Sequence, residues 1–384
     1  MENLNVNLQS GNLDISVTSS DIPLNELCGF ASRNNPKRGY LFISKVLGKH
    51  YPASPSTMRY IYTLLGEKLH KLTLPYPFLF IAMAETATAL GQGVFENFIS
   101  QTNNENHVFI QTTRYRLKQR LALNFQEHHS HAIDHLLYEP YLPIEKEIFY
   151  NAKTLVIVDD EASTGKTLMN LVHAYYKVNP SLKQIVFITI TNWLSSEKKN
   201  AIIEAMPCPL FFVNILEGSF TFTPLPDFVP SVVNPSVGDY EYNDKIILNH
   251  FGRLGYKRLP LLNAHSLFKC LNIYKNQRIL VLGTGEFMFA PFKLAEWIEN
   301  EGYNVKFQAT TRSPILLGND IHSCMAFEDN YFEGIKNYLY NVSINDYDQI
   351  IICYETKILP EAHDLISQLN AKAIFFDNEI LSFS

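Results

Sequence analysis

Residues 153–170 read KTLVIVDDEASTGKTLMN. Thr154 and the apolar run Leu155, Val156, Ile157 and Val158 predict a buried strand. Two adjacent carboxylates, Asp159 and Asp160, close it, and Glu161 follows. Ala162, Ser163, Thr164, Gly165, Lys166 and Thr167 then form a small-residue, hydroxyl-rich loop. Leu168, Met169, Leu171 and Val172 give the next stretch one apolar helical face. Strand, tight loop and helix N-terminus together make a phosphate cradle: free backbone N–H groups and the positive end of the helix dipole converge on one spot.

Ser163-Thr164-Gly165-Lys166-Thr167 ends like a Walker A loop, but that motif needs a glycine five residues before its Gly-Lys pair. Asp160 stands there and would repel a triphosphate. The residues instead offer a monophosphate cradle beside two acids. Carboxylates accept paired hydrogen bonds from vicinal hydroxyls, so a sugar 5′-phosphate with free 2′ and 3′ hydroxyls suits both halves of the site. Four apolar residues, two acids and a loop ending Thr-Gly-x-Thr resemble the type I phosphoribosyltransferase signature. An Asp pair capping a helix in an ordinary α/β domain is the bland alternative.

A chain of 384 residues predicts two domains, and 46% hydrophobic residues with 26 Phe allow sizeable cores. Net charge of -6 implies no general attraction to nucleic acid or anionic membrane. Cysteines 28, 208, 270, 324 and 353 are widely spaced, which predicts free thiols in a reducing, cytoplasmic setting. The start, MENLNVNLQS, does not read as a signal peptide, and no run of about 20 apolar residues predicts a membrane span.

Residues 1–17 predict a frayed lead or an edge strand. Between positions 33 and 50, Arg33, Lys37, Arg38, Lys45, Lys49 and His50 stand without an intervening acid. Gly39, Phe42, Val46, Leu47 and Gly48 embed them in apolar surroundings, so the stretch predicts an anion-binding hood. Residues 55–72 predict a helix. FLFIAM at 78–83 is a second buried strand, followed by Ala84, Glu85, Thr86, Ala87 and Thr88 and another helix. HVFIQTTRYRLK at 107–118 predicts a strand running into a mobile basic segment with Arg114. In FQEHHSHAIDHLLY, Glu127, His128, His131, Asp134 and His135 raise a metal site, with His131 and His135 sharing a helical face. A lid closing over sugar phosphates or a solvated loop are the other readings. Residues 184–193 and 210–215 are further strands, and 218–222 a final edge strand. Strands alternating with helices mean a parallel sheet covered on both faces.

Pro-rich composition from 224 to 244 marks a boundary. The predicted organisation is a first domain at 1–228, a linker at 229–245 and a second α/β domain at 246–384. In the second, Gly283, Thr284 and Gly285 follow a strand, but Met288 replaces the third glycine of a dinucleotide fingerprint. The turn therefore reads as an anion nest, with Arg312 and Ser313 at the end of the next strand as partners in a second ligand site. Asp329-Asn330-Tyr331, 337–341 and 353–356 are polar-aromatic clusters expected on loops.

Taken together, these strings resemble two-domain proteins that join an orotate-phosphoribosyltransferase-like domain to a C-terminal TRSP domain. That name is spelled here by Thr311-Arg312-Ser313-Pro314. The resemblance spans roughly 24–384 and implies a type I phosphoribosyltransferase-like parallel sheet with a hood, plus a second Rossmann-like α/β domain. It implies Mg2+-dependent pentosyl transfer between phosphoribosyl pyrophosphate and a base-like small molecule, in proteins associated with bacterial tellurite-resistance and stress-response clusters. Asp159 and Asp160 would hold ribose hydroxyls and Mg2+, with Glu161 or Glu127 as general base. Residues 162–167 would hold the 5′-phosphate, with Ala84, Glu85, Thr86, Lys45, Lys49, Arg114 and His131 around the rest of the donor. The family's pyrophosphate loop carries Arg or Lys where Glu85 stands here. That departure keeps open a non-catalytic protein that senses phosphoribosyl pyrophosphate. No nucleic-acid or membrane partner is expected, and a homodimer is compatible with the sequence.

Overall fold

The computed structural model describes residues 2–33, 38–126, 134–228, 251–258, 261–262, 271–356, 363–376 and 381–382. In the N-terminal unit the strands are β1 (Glu2–Leu8), β2 (Gly11–Ser20), β3 (Cys28–Ser32), β4 (Tyr40–Ser44), β5 (Phe78–Ala82) and β6 (His107–Gln111). After these come β7 (Leu121–Gln126), β8 (Asp134–Tyr138), β9 (Thr154–Val158), β10 (Glu161–Ala162), β11 (Gln184–Asn192) and β12 (Leu210–Pro224). The helices are α1 (Leu24–Leu27), α2 (Pro55–His70), α3 (Thr88–Ser100), α4 (Pro143–Asn151), α5 (Lys166–Val178) and α6 (Ser196–Ala205). The main sheet runs β1-β2-β12-β11-β9-β5-β6, with β10 added beside β11. Strands β12, β11, β9, β5 and β6 are parallel. Every residue of β5, β6 and β9 is buried, as strands covered on both faces require.

Chain order fixes where a ligand belongs. From β5 the chain steps outward to β6, and from β9 it steps the other way through β11 to β12. The order therefore reverses between β5 and β9, and open α/β sheets bind ligands at the carboxyl ends flanking such a switch. The β3–β4 hairpin lies outside the sheet as the hood.

The C-terminal unit has β13 (Leu261–Leu262), β14 (Arg278–Gly283), α7 (Phe289–Asn300), β15 (Asn304–Ala309), β16 (Cys324–Glu328), β17 (Lys336–Tyr340), β18 (Gln349–Tyr354), α8 (Asp364–Gln368), β19 (Lys372–Phe375) and β20 (Leu381–Ser382). Its parallel sheet is ordered β15-β14-β18-β19, again reversing beside β14. The two units share one core: Tyr62 of α2 meets Phe292 of α7 edge-on at 5.2 Å, and Arg59 of α2 pairs with Glu296 of α7. Among the described residues no helix is long and apolar enough to cross a membrane.

Several local expectations change. Residues 218–222 are not a separate edge strand. They continue β12, which is internal between β11 and β2; a register shift at Glu217/Gly218 absorbs the glycine. Residues 251–256 lie against the N-terminal sheet: Phe109 N–H donates to Tyr256 O and Gln111 N–H to Gly252 O, at 3.0 and 2.9 Å. His135 sits in a strand and not in a helix; Glu127, His128 and His131 lie outside the described residues. Of the clusters expected on loops at 337–341 and 353–356, residues 337–340 lie in strand β17, and Cys353 and Tyr354 end β18.

Close packing of α2 on α3 requires glycine at one contact. A Cβ on Gly93 would lie 2.0 Å from Tyr62 Cδ2, and that ring is already braced by Phe292. Gly93→Ala should therefore cost about 1–3 kcal/mol by overpacking. Chemical denaturation reads it, and an unchanged midpoint would show that the helices part freely.

Candidate active site

The β9 carboxyl end carries the site. Asp159 Oδ1 accepts from Asp160 N–H at 3.0 Å, which turns the acidic pair into the cleft. Burial first, then the Glu161 carboxylate, push the Asp160 carboxyl up to about 6. Glu161 is ion-paired with Arg38 of the hood, whose guanidinium also lies 5.1 Å from the Tyr40 ring centre. This makes Glu161 a tie between floor and hood through one carboxylate oxygen.

Gly165 caps α5 with φ +70°, a left-handed turn that a side chain strains. Among the described residues, nothing accepts from the N–H groups of Ser163, Thr164 or Gly165. These groups and the α5 N-terminus leave unpaired donors on the cleft wall, the chemistry an anion needs.

Across the switch, the loop after β5 makes the facing wall. Ala84 N–H donates to Thr112 Oγ1 at 2.8 Å, and Thr112 Oγ1 lies 3.1 Å from His135 Nδ1. Glu85 is held by protein cations: Lys49 Nζ is 2.7 Å from Oε1 and Arg312 Nε is 4.0 Å from Oε2. Burial alone would raise the Glu85 carboxyl, but Lys49 and then Arg312 bring it below its ordinary value. Burial lowers the Lys49 ammonium, and burial with Lys49 beside it pushes His50 down to about 3, so His50 is neutral near pH 7.

The resulting cleft has a volume of about 210 Å³. Its walls bring together Asp159, Asp160, Glu161, residues 162–167, Ala84, Glu85, Thr86 and Arg114. Lys49 backs the wall through Glu85. Lys45 is not brought in: its Nζ turns to Asp320 Oδ1 at 3.3 Å and Asn25 O at 3.2 Å, away from the cleft. Arg33, Arg38, His50 and His135 also line it.

The second ligand site expected at Gly283, Thr284, Gly285, Arg312 and Ser313 does not form separately. The turn is spent on protein: Gly285 N–H donates to Thr310 Oγ1 at 2.9 Å, and Gly285 O accepts from Lys49 at 2.8 Å. Thr311, Arg312 and Ser313 line the N-terminal unit's cleft instead. The carboxyl ends of the two parallel sheets face each other across it. A sequence signal for this existed: a carboxylate in the loop where the resemblance places pyrophosphate demands cations from elsewhere.

Among the described residues no group of three or more His, Cys, Asp or Glu side chains could hold a metal alone. Mg2+ usually keeps several waters and leans on one or two carboxylates plus substrate phosphates. Asp159 and Asp160 supply that much, and the buried Glu161 Oε2 beside them has no hydrogen-bond partner among the described residues. The residues fit a magnesium ion carried largely by its ligand.

Residues 27–219 match the family described as phosphoribosyl transferase (PRTase_2), and residues 258–369 match the TRSP domain C-terminal to it. The chain belongs to this phosphoribosyl transferase family. The transferase is thus a pentosyltransferase by membership. Similar solved structures include adenine phosphoribosyltransferase from Trypanosoma brucei, at 14% identity over 51% of this chain and 81% of that one, TM-score 0.33. The enzyme from Thermoanaerobacter pseudethanolicus gives 14% identity over 48% and 93%, TM-score 0.32. Hypoxanthine phosphoribosyltransferase from Trypanosoma cruzi gives 13% over 42% and 73%, TM-score 0.26. The family assignment of the transferase rests on the sequence match and not on these overlays. No curated protein matches it.

Proposed function

We propose that the protein moves a ribose 5-phosphate unit between phosphoribosyl pyrophosphate and a base-like nitrogen nucleophile. The observation that carries this reading is the Asp159–Asp160 pair set beside the 163–167 cradle at the β5/β9 switch. The C1–O bond to pyrophosphate breaks, a C1–N bond forms, and the acceptor nitrogen gives up its proton to the departing pyrophosphate oxyanion. Asp159 and Asp160 hold the ribose hydroxyls and steady positive charge developing at C1. Backbone N–H groups of Ser163, Thr164 and Gly165, with the Ser163, Thr164 and Thr167 hydroxyls, hold the 5′-phosphate. Bound Mg2+ supplies charge neutralisation on the leaving pyrophosphate. Arg38, held to Glu161, keeps the hood over the ribose and excludes water. A place in a tellurite-resistance or stress-response setting follows from the family resemblance. The non-catalytic alternative rests on the missing basic residue in the 84–88 loop; Lys49 and Arg312 beside Glu85 offset its charge, which supports the catalytic reading.

Isotope exchange tests the reading. Labelled pyrophosphate should enter phosphoribosyl pyrophosphate when Mg2+ and a panel of candidate bases and their nucleotides are supplied. Failure of the donor to bind at all in calorimetry would remove the assignment.

A further inference from the structure

The C-terminal unit reaches the cleft through one short stretch. Thr311 N–H donates to Tyr338 O at 3.0 Å, and Tyr338 N–H returns a bond to Thr311 O at 2.7 Å. Tyr340 Oη accepts from Ile315 N–H and donates to Ser313 O, both at 2.8 Å. Leu316 N–H donates to Ser32 O, which stitches the same stretch to the hood. These bonds fix residues 311–316 from two sides before any ligand arrives.

Inside that frame two donor groups are left over. Arg312 Nη2 and Ser313 Oγ are buried and have no hydrogen-bond partner among the described residues. The rest of the Arg312 guanidinium is committed: it lies 4.4 Å from the Tyr115 ring centre, with Nε 4.0 Å from Glu85. Leaving a guanidinium N–H buried and unpaired is unfavourable, so a fold that keeps it beside an unpaired hydroxyl keeps it for an acceptor. Glu85 and Tyr115 follow β5 and β6, whereas the 5′-phosphate cradle follows β9. The spare donors therefore sit at the other end of the cleft from the cradle.

We propose that Arg312 and Ser313 bind an oxyanion at this far end, so that the C-terminal unit supplies part of the N-terminal unit's ligand site. The inference rests on the phosphoribosyl reading of the cleft. Two sources carry the chemistry: the pyrophosphate end of the donor, and a carboxylate on the acceptor. Arginine suits either, because its planar fork gives directed bonds where lysine gives a point charge.

The test uses the full chain and calorimetry with four probes: pyrophosphate with Mg2+, orotate as a carboxylated base, adenine as an uncharged one, and ribose 5-phosphate. Arg312→Gln should weaken one oxyanion probe at least tenfold, and Ser313→Ala the same probe about threefold to tenfold. Ribose 5-phosphate and adenine should bind both variants as they bind wild type. Loss confined to pyrophosphate assigns the donor end; loss confined to orotate assigns the acceptor. Pyrophosphate and orotate affinities both within twofold of wild type would overturn the proposal, as would an equal loss for ribose 5-phosphate. If Arg312→Gln does not fold, Ser313→Ala decides, since no described hydrogen bond uses its hydroxyl. Wild-type protein that ignores ribose 5-phosphate yet loses pyrophosphate on Arg312→Gln would remove the ribosyl reading and leave this oxyanion site standing.

Discussion

Replacing Asp159 and Asp160 together by asparagine should abolish turnover without unfolding the protein. Each lost charge-assisted bond to a ribose hydroxyl costs about 1.5–3 kcal/mol. Two such losses amount to roughly two to four decades in affinity for ribose 5-phosphate. Stability should move the opposite way. The Asp160 carboxyl is pushed up to about 6 by burial and Glu161, whereas an unfolded aspartate titrates near 4. The native state therefore holds this proton between roughly pH 4 and 6 while the unfolded chain has released it. Its favourable contribution is fully present below about pH 4 and is lost as pH rises through 6. Above that, the ionised group costs about 1–3 kcal/mol, which asparagine relieves. The double variant should melt at least as high as wild type at pH 8, with the difference shrinking toward pH 4. A drop of several degrees at pH 8 would show that the pair is structural.

Arg253→Met should cost about 3–5 kcal/mol, the largest stability loss expected here. Arg253 is only 4% exposed, and its guanidinium meets Glu286 at 3.0 Å and Glu355 at 2.5 and 3.0 Å. Glu286 also accepts from Thr113 Oγ1 at 2.6 Å and from Arg114 N–H at 2.7 Å, across the junction between the units. Methionine matches the bulk of the arginine stem but strands two carboxylates away from water. Urea denaturation measures the loss, and Arg253→Met with Glu355→Gln should recover part of it by removing one stranded charge. A single variant within 1 kcal/mol of wild type would show that water reaches the cluster.

The cleft's floor was legible because its information is local. Strand, acids, loop and helix lie within 153–170, and each follows from patterns a few residues long. What resisted was contact between distant positions. Glu85 looked like a liability because its partners, Lys49 and Arg312, come from the hood and from another sheet. Lys45, four residues from Lys49, looked equivalent, yet the hood hairpin turns it toward Asp320. His135 fitted a helical spacing, but β7 and β8 pair, and its ring stacks on Phe125 at 5.0 Å. Residues 218–222 read as a separate edge strand, whereas a bulge at Glu217/Gly218 beside Trp193 lets β12 run on. Gly283 and Gly285 were recognised as a turn; which groups would fill it depends on how two sheets face, and periodicity does not encode that.

The wall that Arg312 and Ser313 add to the cleft has a consequence for the timing of birth. The cradle at 163–167 leaves the ribosome long before position 313 does. At ~5–20 residues per second, the interval is on the order of ten seconds. Through that time the nascent N-terminal unit has its 163–167 loop but an unfinished far wall, with Glu85 short of one of its two cations. On the proposed reading the far end of the cleft is completed only when the last sheet docks, so chains that stall or are cut before that point should bind the oxyanion probe at least tenfold more weakly.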